Sequence, residues 1–264
     1  MTNSIDETFK NLKTQNKKAQ IVFITAGDPT LEKTYDFALG LLEGGADILE
    51  LGVPFSDPVA EGPTIQASSK RALRNGASLT AVMSLAARLR KQTPKPILLM
   101  LYMNCVFTYP AETFFEDAAK SGVDGVIIPD LPFEERADVA AFSEKTNVRN
   151  IYLVSPTSGE RVKKIAREAK GFLYCVSSLG VTGTRNSFTT DFKSFSENIK
   201  SVSAAPTAVG FGISTPAQAK DMSAYFDGVI IGSAYVKLIE RAGCGALPEI
   251  TRLSAAVRAA LDSF

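Results

Sequence analysis

Glu50 sits inside the apolar run Ile48-Leu49-Glu50-Leu51-Gly52-Val53, and two further acids, Asp57 and Glu61, follow in a loop bounded by Pro54, Pro58 and Pro63. An ionised carboxylate in apolar surroundings is costly unless it is paired, and the same cost raises its pKa toward the range useful for proton transfer. The sequence contains 0 histidines. Proton transfer near neutral pH therefore falls to carboxylates, tyrosines, lysines or cysteines in shifted environments. Glu50 is the first candidate acid/base, and Glu61 or Asp57 offers the second carboxylate that acid/base work without histidine requires. The competing reading of Glu50 is a structural salt bridge, but the strands proposed below supply neither a lysine nor an inward-facing arginine to pair it.

A second cluster lies near the other end of the chain. Gly210-Phe211-Gly212-Ile213-Ser214 and Ile231-Gly232-Ser233-Ala234 each close an apolar segment and lead into a helical one. Small residues there leave backbone N–H groups open at a helix N-terminus, a natural place for a phosphate, although tight turns have the same composition. Between the two clusters, Ser177-Ser178-Leu179-Gly180-Val181-Thr182-Gly183-Thr184-Arg185-Asn186-Ser187 is long, polar and punctuated by glycine. It reads as a lid or as a plain connection. Phe23, Tyr102, Tyr174 and Phe211 are available to hold a flat apolar body, or to serve as core.

Eight short apolar segments must position these residues: Gln20 to Ala26, Asp47 to Val53, Pro96 to Tyr102, Gly125 to Pro129, Asn150 to Ser155, Phe172 to Ser177, Thr207 to Phe211 and Gly228 to Ile231. Each is rich in Val, Ile, Leu, Tyr or Phe and stops at a turn-forming residue, as buried parallel strands do. In the second, Leu49 and Leu51 share one face and Glu50 takes the other. Helical spacing fills the intervals. Leu31, Tyr35, Ala38 and Leu42 recur at helical steps before Gly44-Gly45. Further helices are expected at Phe114 to Lys120, Glu134 to Glu144 and Glu160 to Ala169. Ser4 to Lys18 forms an extra N-terminal helix, and Ser233 to Arg241 and Pro248 to Leu261 close the chain. Strands and helices alternating without a composition break specify a single-domain (β/α)8 barrel of TIM type over residues 1–264, and such a barrel takes about 250 residues. Glu50 then points into the barrel. A faint repeat supports the periodicity: Gly45-Ala46-Asp47-Ile48, Gly122-Val123-Asp124-Gly125 and Phe226-Asp227-Gly228-Val229 each place an acid just ahead of a strand.

Composition narrows the partners. With 29 Lys plus Arg against 28 Asp plus Glu, no global field recruits nucleic acid or an anionic membrane. Cys105, Cys175 and Cys244 are far apart and form no CxxC pair, which argues against zinc and against a disulfide framework. The first residues hold acids and no signal-length apolar core, and no run reaches the ~18 apolar residues of a membrane span. A cytoplasmic protein that handles small molecules is expected.

The motifs Leu49-Glu50-Leu51-Gly52-Val53-Pro54-Phe55-Ser56-Asp57-Pro58 and Gly62-Pro63-Thr64-Ile65-Gln66 resemble those of the tryptophan synthase α-subunit family. Thr25-Ala26-Gly27-Asp28-Pro29, Pro129-Asp130-Leu131-Pro132, Gly180-Val181-Thr182-Gly183 and Gly210-Phe211-Gly212-Ile213-Ser214 extend the resemblance in the right order, from about Phe9 to the C-terminal helix. It implies retro-aldol cleavage of indole-3-glycerol phosphate to indole and glyceraldehyde 3-phosphate, a lyase step in the last stage of tryptophan biosynthesis. By resemblance, Glu50 is the acid/base, and Glu61 stands where the family usually has an aspartate that binds the indole N–H. Phe23 and Tyr174 match the indole pocket, while Gly183, Phe211, Gly212, Gly232 and Ser233 match phosphate positions. Thr182 matches a lid residue that meets Asp130 or the catalytic acid on closure. The resemblance also implies an αββα assembly with a β subunit that carries pyridoxal phosphate, so that this chain holds no cofactor and no metal. Loops Pro54 to Asp57, Asn104 to Phe107 and Asp130 to Pro132 would face that partner. The rival readings are a stand-alone indole-3-glycerol phosphate lyase, a weakly catalytic regulatory subunit that activates a β subunit, and a generic phosphosugar isomerase barrel.

Overall fold

The computed structural model describes residues 2–176, 191–210 and 212–263. Its strands are β1 Ala19–Thr25, β2 Ile48–Gly52, β3 Ile97–Met100, β4 Gly125–Ile127, β5 Arg149–Ile151, β6 Leu153–Val154, β7 Leu173–Val176, β8 Thr207–Gly210 and β9 Gly228–Ile231. All the pairings are parallel, in the order β5-β4-β3-β2-β1-β9-β8-β7-β6. The two ends of that order, β5 and β6, are separated in the chain by Tyr152 alone. They are halves of one strand position, and the sheet closes on itself as a (β/α)8 barrel. The single fifth strand expected from Asn150 to Ser155 is therefore divided. Its first half pairs with β4 and its second with β7, and the change of partner falls at Tyr152, whose ring packs edge-on against Phe133 at 5.3 Å.

Around the barrel run α1 Ser4–Thr14, α2 Leu31–Glu43, α3 Pro63–Arg74, α4 Leu79–Arg90, α5 Met103–Thr108, α6 Ala111–Lys120, α7 Ala137–Thr146, α8 Arg161–Glu168, α9 Phe192–Lys200, α10 Pro216–Ser223, α11 Ser233–Ala242 and α12 Leu247–Asp262. The first helix is shorter than its expected span to Lys18, because Asn16 turns left-handed (φ 53°) and Lys17 N–H returns to Leu12 C=O at 2.8 Å.

Strand alternation sorts the core into two layers. Val22, Ile24, Leu49, Leu51, Leu99 and Val209 face outward and pack beneath the helices, whereas Ile21, Phe23, Ile48, Leu98, Met100, Tyr174 and Ile230 fill the barrel. Ile5 and Phe9 of α1 join the inner layer, with Phe9 against Phe172 at 5.5 Å, so the extra N-terminal helix stoppers the lower end of the barrel.

The faint acidic repeat proves to be one device used three times. Asp47 Oδ2 accepts the N–H of Gln20 at 2.8 Å, Asp124 Oδ2 that of Ile97 at 2.8 Å, and Asp227 Oδ2 that of Thr207 at 2.9 Å. In each case the acid's own N–H bonds back to the same residue's C=O. An acid just ahead of one strand thus satisfies the opening of its neighbour, where the ladder leaves a donor spare.

Candidate active site

Glu50 is carried by β2, which pairs with β1 and β3 in a register that sets it beside Phe23 and Leu98. Its side chain points into the upper barrel and is only 1% exposed. Oε2 is buried with no hydrogen-bond partner among the described residues. Among the described residues the one cation carried by a strand, Arg149 of β5, bonds to Asp6 of α1 at 2.7 Å instead. The salt-bridge reading is therefore excluded. Burial pushes the Glu50 carboxyl up to about 8, so near neutral pH it holds a proton it can give and take back.

Glu61 lies at the end of the proline-bounded loop, immediately before α3. Pro63 opens that helix, where its missing N–H costs nothing, and Gln66 Nε2 of the first turn donates to Glu61 C=O at 2.8 Å. The side chain is 7% exposed. Burial raises its pKa, Tyr102's hydroxyl draws it back down, and the charge of Asp130 raises it again. The Tyr102 hydroxyl donates to Glu61 Oε2 and accepts the N–H groups of Val59 and Ala60 at 3.0 and 2.9 Å.

Glu50 and Glu61 line one cleft of about 460 Å³ together with Phe23, Ile65, Met100, Tyr174, Gly212, Ile213, Ile230, Gly232 and Ser233. Two rings shape it by lying close against backbone. A Cβ on Gly210 would sit 2.5 Å from the Tyr174 hydroxyl, and one on Gly232 would sit 2.9 Å from Phe23 Cδ1. Both glycines are therefore set by what packs on them. Burial and the nearby Glu50 carboxylate hold the Tyr174 phenol well above its usual pKa, so it stays neutral. The loop after β1, the last turns of α3 and those of α11 are tied together by Arg71, which grips Asp28 through two bonds of 2.9 and 2.8 Å and reaches Glu240 at 2.8 Å.

The two glycine-containing segments are not equivalent. Ahead of α10, the N–H groups of Ser214 and Thr215 are taken by Gln218 Oε1 at 2.9 and 3.3 Å, in a capping box with Thr215. By contrast, α11 starts at Ser233 from Gly232 with no side-chain cap, and both residues face the cleft. The helix N-terminus left without a side-chain cap toward the cleft is therefore that of α11, with Gly212 in the same lining, whereas α10 is capped.

Of the residues singled out by sequence, Glu50, Glu61, Phe23, Tyr174, Gly212, Gly232 and Ser233 come together in the cleft. Asp57 and Asp130 do not line it. Asp57 is exposed and accepts Ser56 Oγ at 2.5 Å, while Asp130 accepts the N–H of Met103 at 2.8 Å. Tyr102, read from the sequence as either a wall for a flat body or core, turns its hydroxyl to Glu61 and stacks on Phe55 at 4.9 Å. Thr182, Gly183 and Phe211 lie outside the described residues. The apolar lining by Ile65, Met100, Ile213 and Ile230 went unread in the sequence, where such residues look like any other core. Among the described residues, no three His, Cys, Asp or Glu side chains gather as a metal site, and no helix is long and apolar enough to cross a membrane.

A buried carboxyl, a second carboxylate, an apolar slot and a helix N-terminus without a side-chain cap thus share one cleft. Known proteins of the same sequence pattern place that cleft in a family. The tryptophan synthase alpha chain of Caldanaerobacter subterraneus is 47% identical over 261 residues, 98% of this chain and 100% of that one. That of Thermoanaerobacter sp. is 46% identical over 239 residues, 90% of this chain and 91% of its own. Among solved structures, tryptophan synthase subunit alpha from Legionella pneumophila superposes with a TM-score of 0.90 at 36% identity, covering 100% of both chains. A Mycobacterium tuberculosis tryptophan synthase structure gives 0.91 at 32% identity, over 99% of each. The family model described as tryptophan synthase alpha chain matches residues 9–263, and the chain belongs to that family.

Proposed function

We propose that this chain cleaves indole-3-glycerol phosphate to indole and glyceraldehyde 3-phosphate, as a lyase in the last stage of tryptophan biosynthesis. The observation that carries the reading is the buried Glu50 carboxyl, whose Oε2 has no hydrogen-bond partner among the described residues, in a cleft shared with Glu61. The indole ring lies in the slot of Phe23, Met100, Tyr174 and Ile230, and the phosphate rests on the N-terminus of α11 beside Gly212 and Ser233. Glu50, neutral near pH 7, protonates C3 of the indole. The ring nitrogen then bears positive charge, and Glu61 accepts its N–H and balances that charge. As a carboxylate, Glu50 next removes the proton from the hydroxyl on the adjacent side-chain carbon. The O–H pair becomes the aldehyde C=O, the C–C bond to C3 breaks, and its electrons return to the ring nitrogen, leaving indole.

The reading takes residues 1–264 as one barrel domain in the cytoplasm and needs no cofactor within it. It also calls for a β subunit carrying pyridoxal phosphate, in an αββα assembly. Val59 and Phe107, 75% and 62% exposed, support a partner on the rim beside the carboxylate loop. The test is indole release from indole-3-glycerol phosphate by the chain alone and with a β subunit. Slow turnover alone and faster turnover with the partner is the expected result. Fast turnover unchanged by the partner would point to a stand-alone lyase, and parent-like rates in both Glu50→Gln and Glu61→Gln would refute the assignment of the cleft.

A further inference from the structure

We propose that Tyr102 is the positioning residue for Glu61, fixing which of its oxygens accepts and holding it ionised in the cleft; the inference rests on the role given to Glu61 above. The phenol oxygen has one proton and two lone pairs. Both lone pairs are taken, by the N–H groups of Val59 and Ala60 at 3.0 and 2.9 Å. The proton therefore has one destination, Glu61 Oε2. Whatever the state of Glu61, that oxygen must accept, and any proton on the carboxyl must sit on Oε1.

The same hydroxyl pins the backbone of Val59 and Ala60, the two residues that carry the chain into Glu61, so loop and carboxylate are set by one atom. The ring is fixed in turn. It stacks on Phe55 at 4.9 Å with 22° between the planes, it is buried, and the next residue's N–H is anchored on Asp130 Oδ1 at 2.8 Å. Among the described residues, the charged or titratable groups around Glu61 are Tyr102 from the end of β3, Asp130 from the loop after β4, and Glu50 in the shared cleft. The charge of Asp130 disfavours a second negative charge there. The phenol is the largest of the donors that oppose that charge, ahead of the backbone N–H groups of Glu61 and Ala60, and burial and Glu61 keep it protonated and able to do so.

Removing the hydroxyl alone, with Tyr102→Phe, keeps the ring and its stack on Phe55. The expected result is a fall in kcat for indole formation of about 10- to 100-fold, the usual range for a hydrogen bond to a charged group, with KM changed less than about twofold. The acid limb of the pH profile moves to higher pH, because Glu61 loses a donor that favours its ionised form, and the alkaline limb set by Glu50 stays in place. In a Glu61→Gln background the acid limb is absent, and adding Tyr102→Phe changes kcat by less than about twofold, since the two act as one unit. Parent-like turnover in Tyr102→Phe beside a loss in Glu61→Gln would overturn the role of Tyr102 alone. So would equal losses in both backgrounds with an unmoved acid limb, the signature of a merely loosened loop. Parent-like turnover in Glu61→Gln would overturn the role of Glu61 and this inference together.

Discussion

Glu50→Gln separates the two states of one buried group. A glutamate whose pKa rises from 4.5 in the unfolded chain to about 8 in the fold favours the folded state when neutral. That stability is present below the unfolded value and is lost as pH climbs toward the folded one. Linkage gives about 1.4 kcal/mol per pH unit in that window, so between about pH 5.5 and about pH 8.5 the parent loses about 3 kcal/mol through this residue. Glutamine has nearly the same shape and no charge to desolvate, and its amide contributes an offset that does not vary with pH. The variant should therefore gain about 3 kcal/mol relative to the parent across the same interval while indole formation is abolished. Urea melts of both proteins at the two pH values measure the difference, with m-values checked for constancy. A difference that stays flat with pH, or one that turns against the variant, would mean that Glu50 is ionised and paired in the fold. The whole argument for a proton carrier at this position would then fail.

Ser233→Asp should act in opposite directions on stability and binding: a carboxylate at the start of α11 complements the helix dipole by about 0.5 kcal/mol, yet it repels the phosphate. A slightly raised Tm with KM for the phosphorylated substrate increased at least ~10-fold is expected by thermal melts and steady-state assay, and an unchanged KM would move the phosphate elsewhere. Gly210→Ala places a methyl 2.5 Å from the Tyr174 hydroxyl. The ring must shift within the slot, costing about 1–3 kcal/mol of stability and weakening binding of a planar indole analogue; calorimetry showing parent-like affinity would contradict the packing.

Much of the site could be read because it is local. The face of Glu50 follows from period-two alternation with Leu49 and Leu51, and the open end of α11 from Gly232-Ser233 directly after a strand. The closed first turn of α10 was also legible, since Thr215-Pro216-Ala217-Gln218 spells a capping box, though it went unread. What escaped depends on closure of the barrel. Tyr102 shows its ring in the sequence but not the direction of its hydroxyl, which is decided by a loop 41 residues away. The break at Tyr152 reflects a change of pairing partner, which composition does not record. The three aspartates ahead of strands were visible as a repeat, and their use required knowing which strand stands next to which.

Phe9 of α1, packed on Phe172, and Ile5 beside it in the inner layer close the lower end of the barrel. Among the described residues this closure leaves the upper rim as the side from which the cleft is approached, so under the proposed function whatever covers that rim bears on arrival and departure alike. Among the described residues that rim carries the exposed side chains of Val59 and Phe107, two and five positions along the chain from Glu61 and Tyr102 respectively. The exposed rim and the second carboxylate of this barrel are therefore neighbours in the chain, and anything that settles on the one lies within a few bonds of the other.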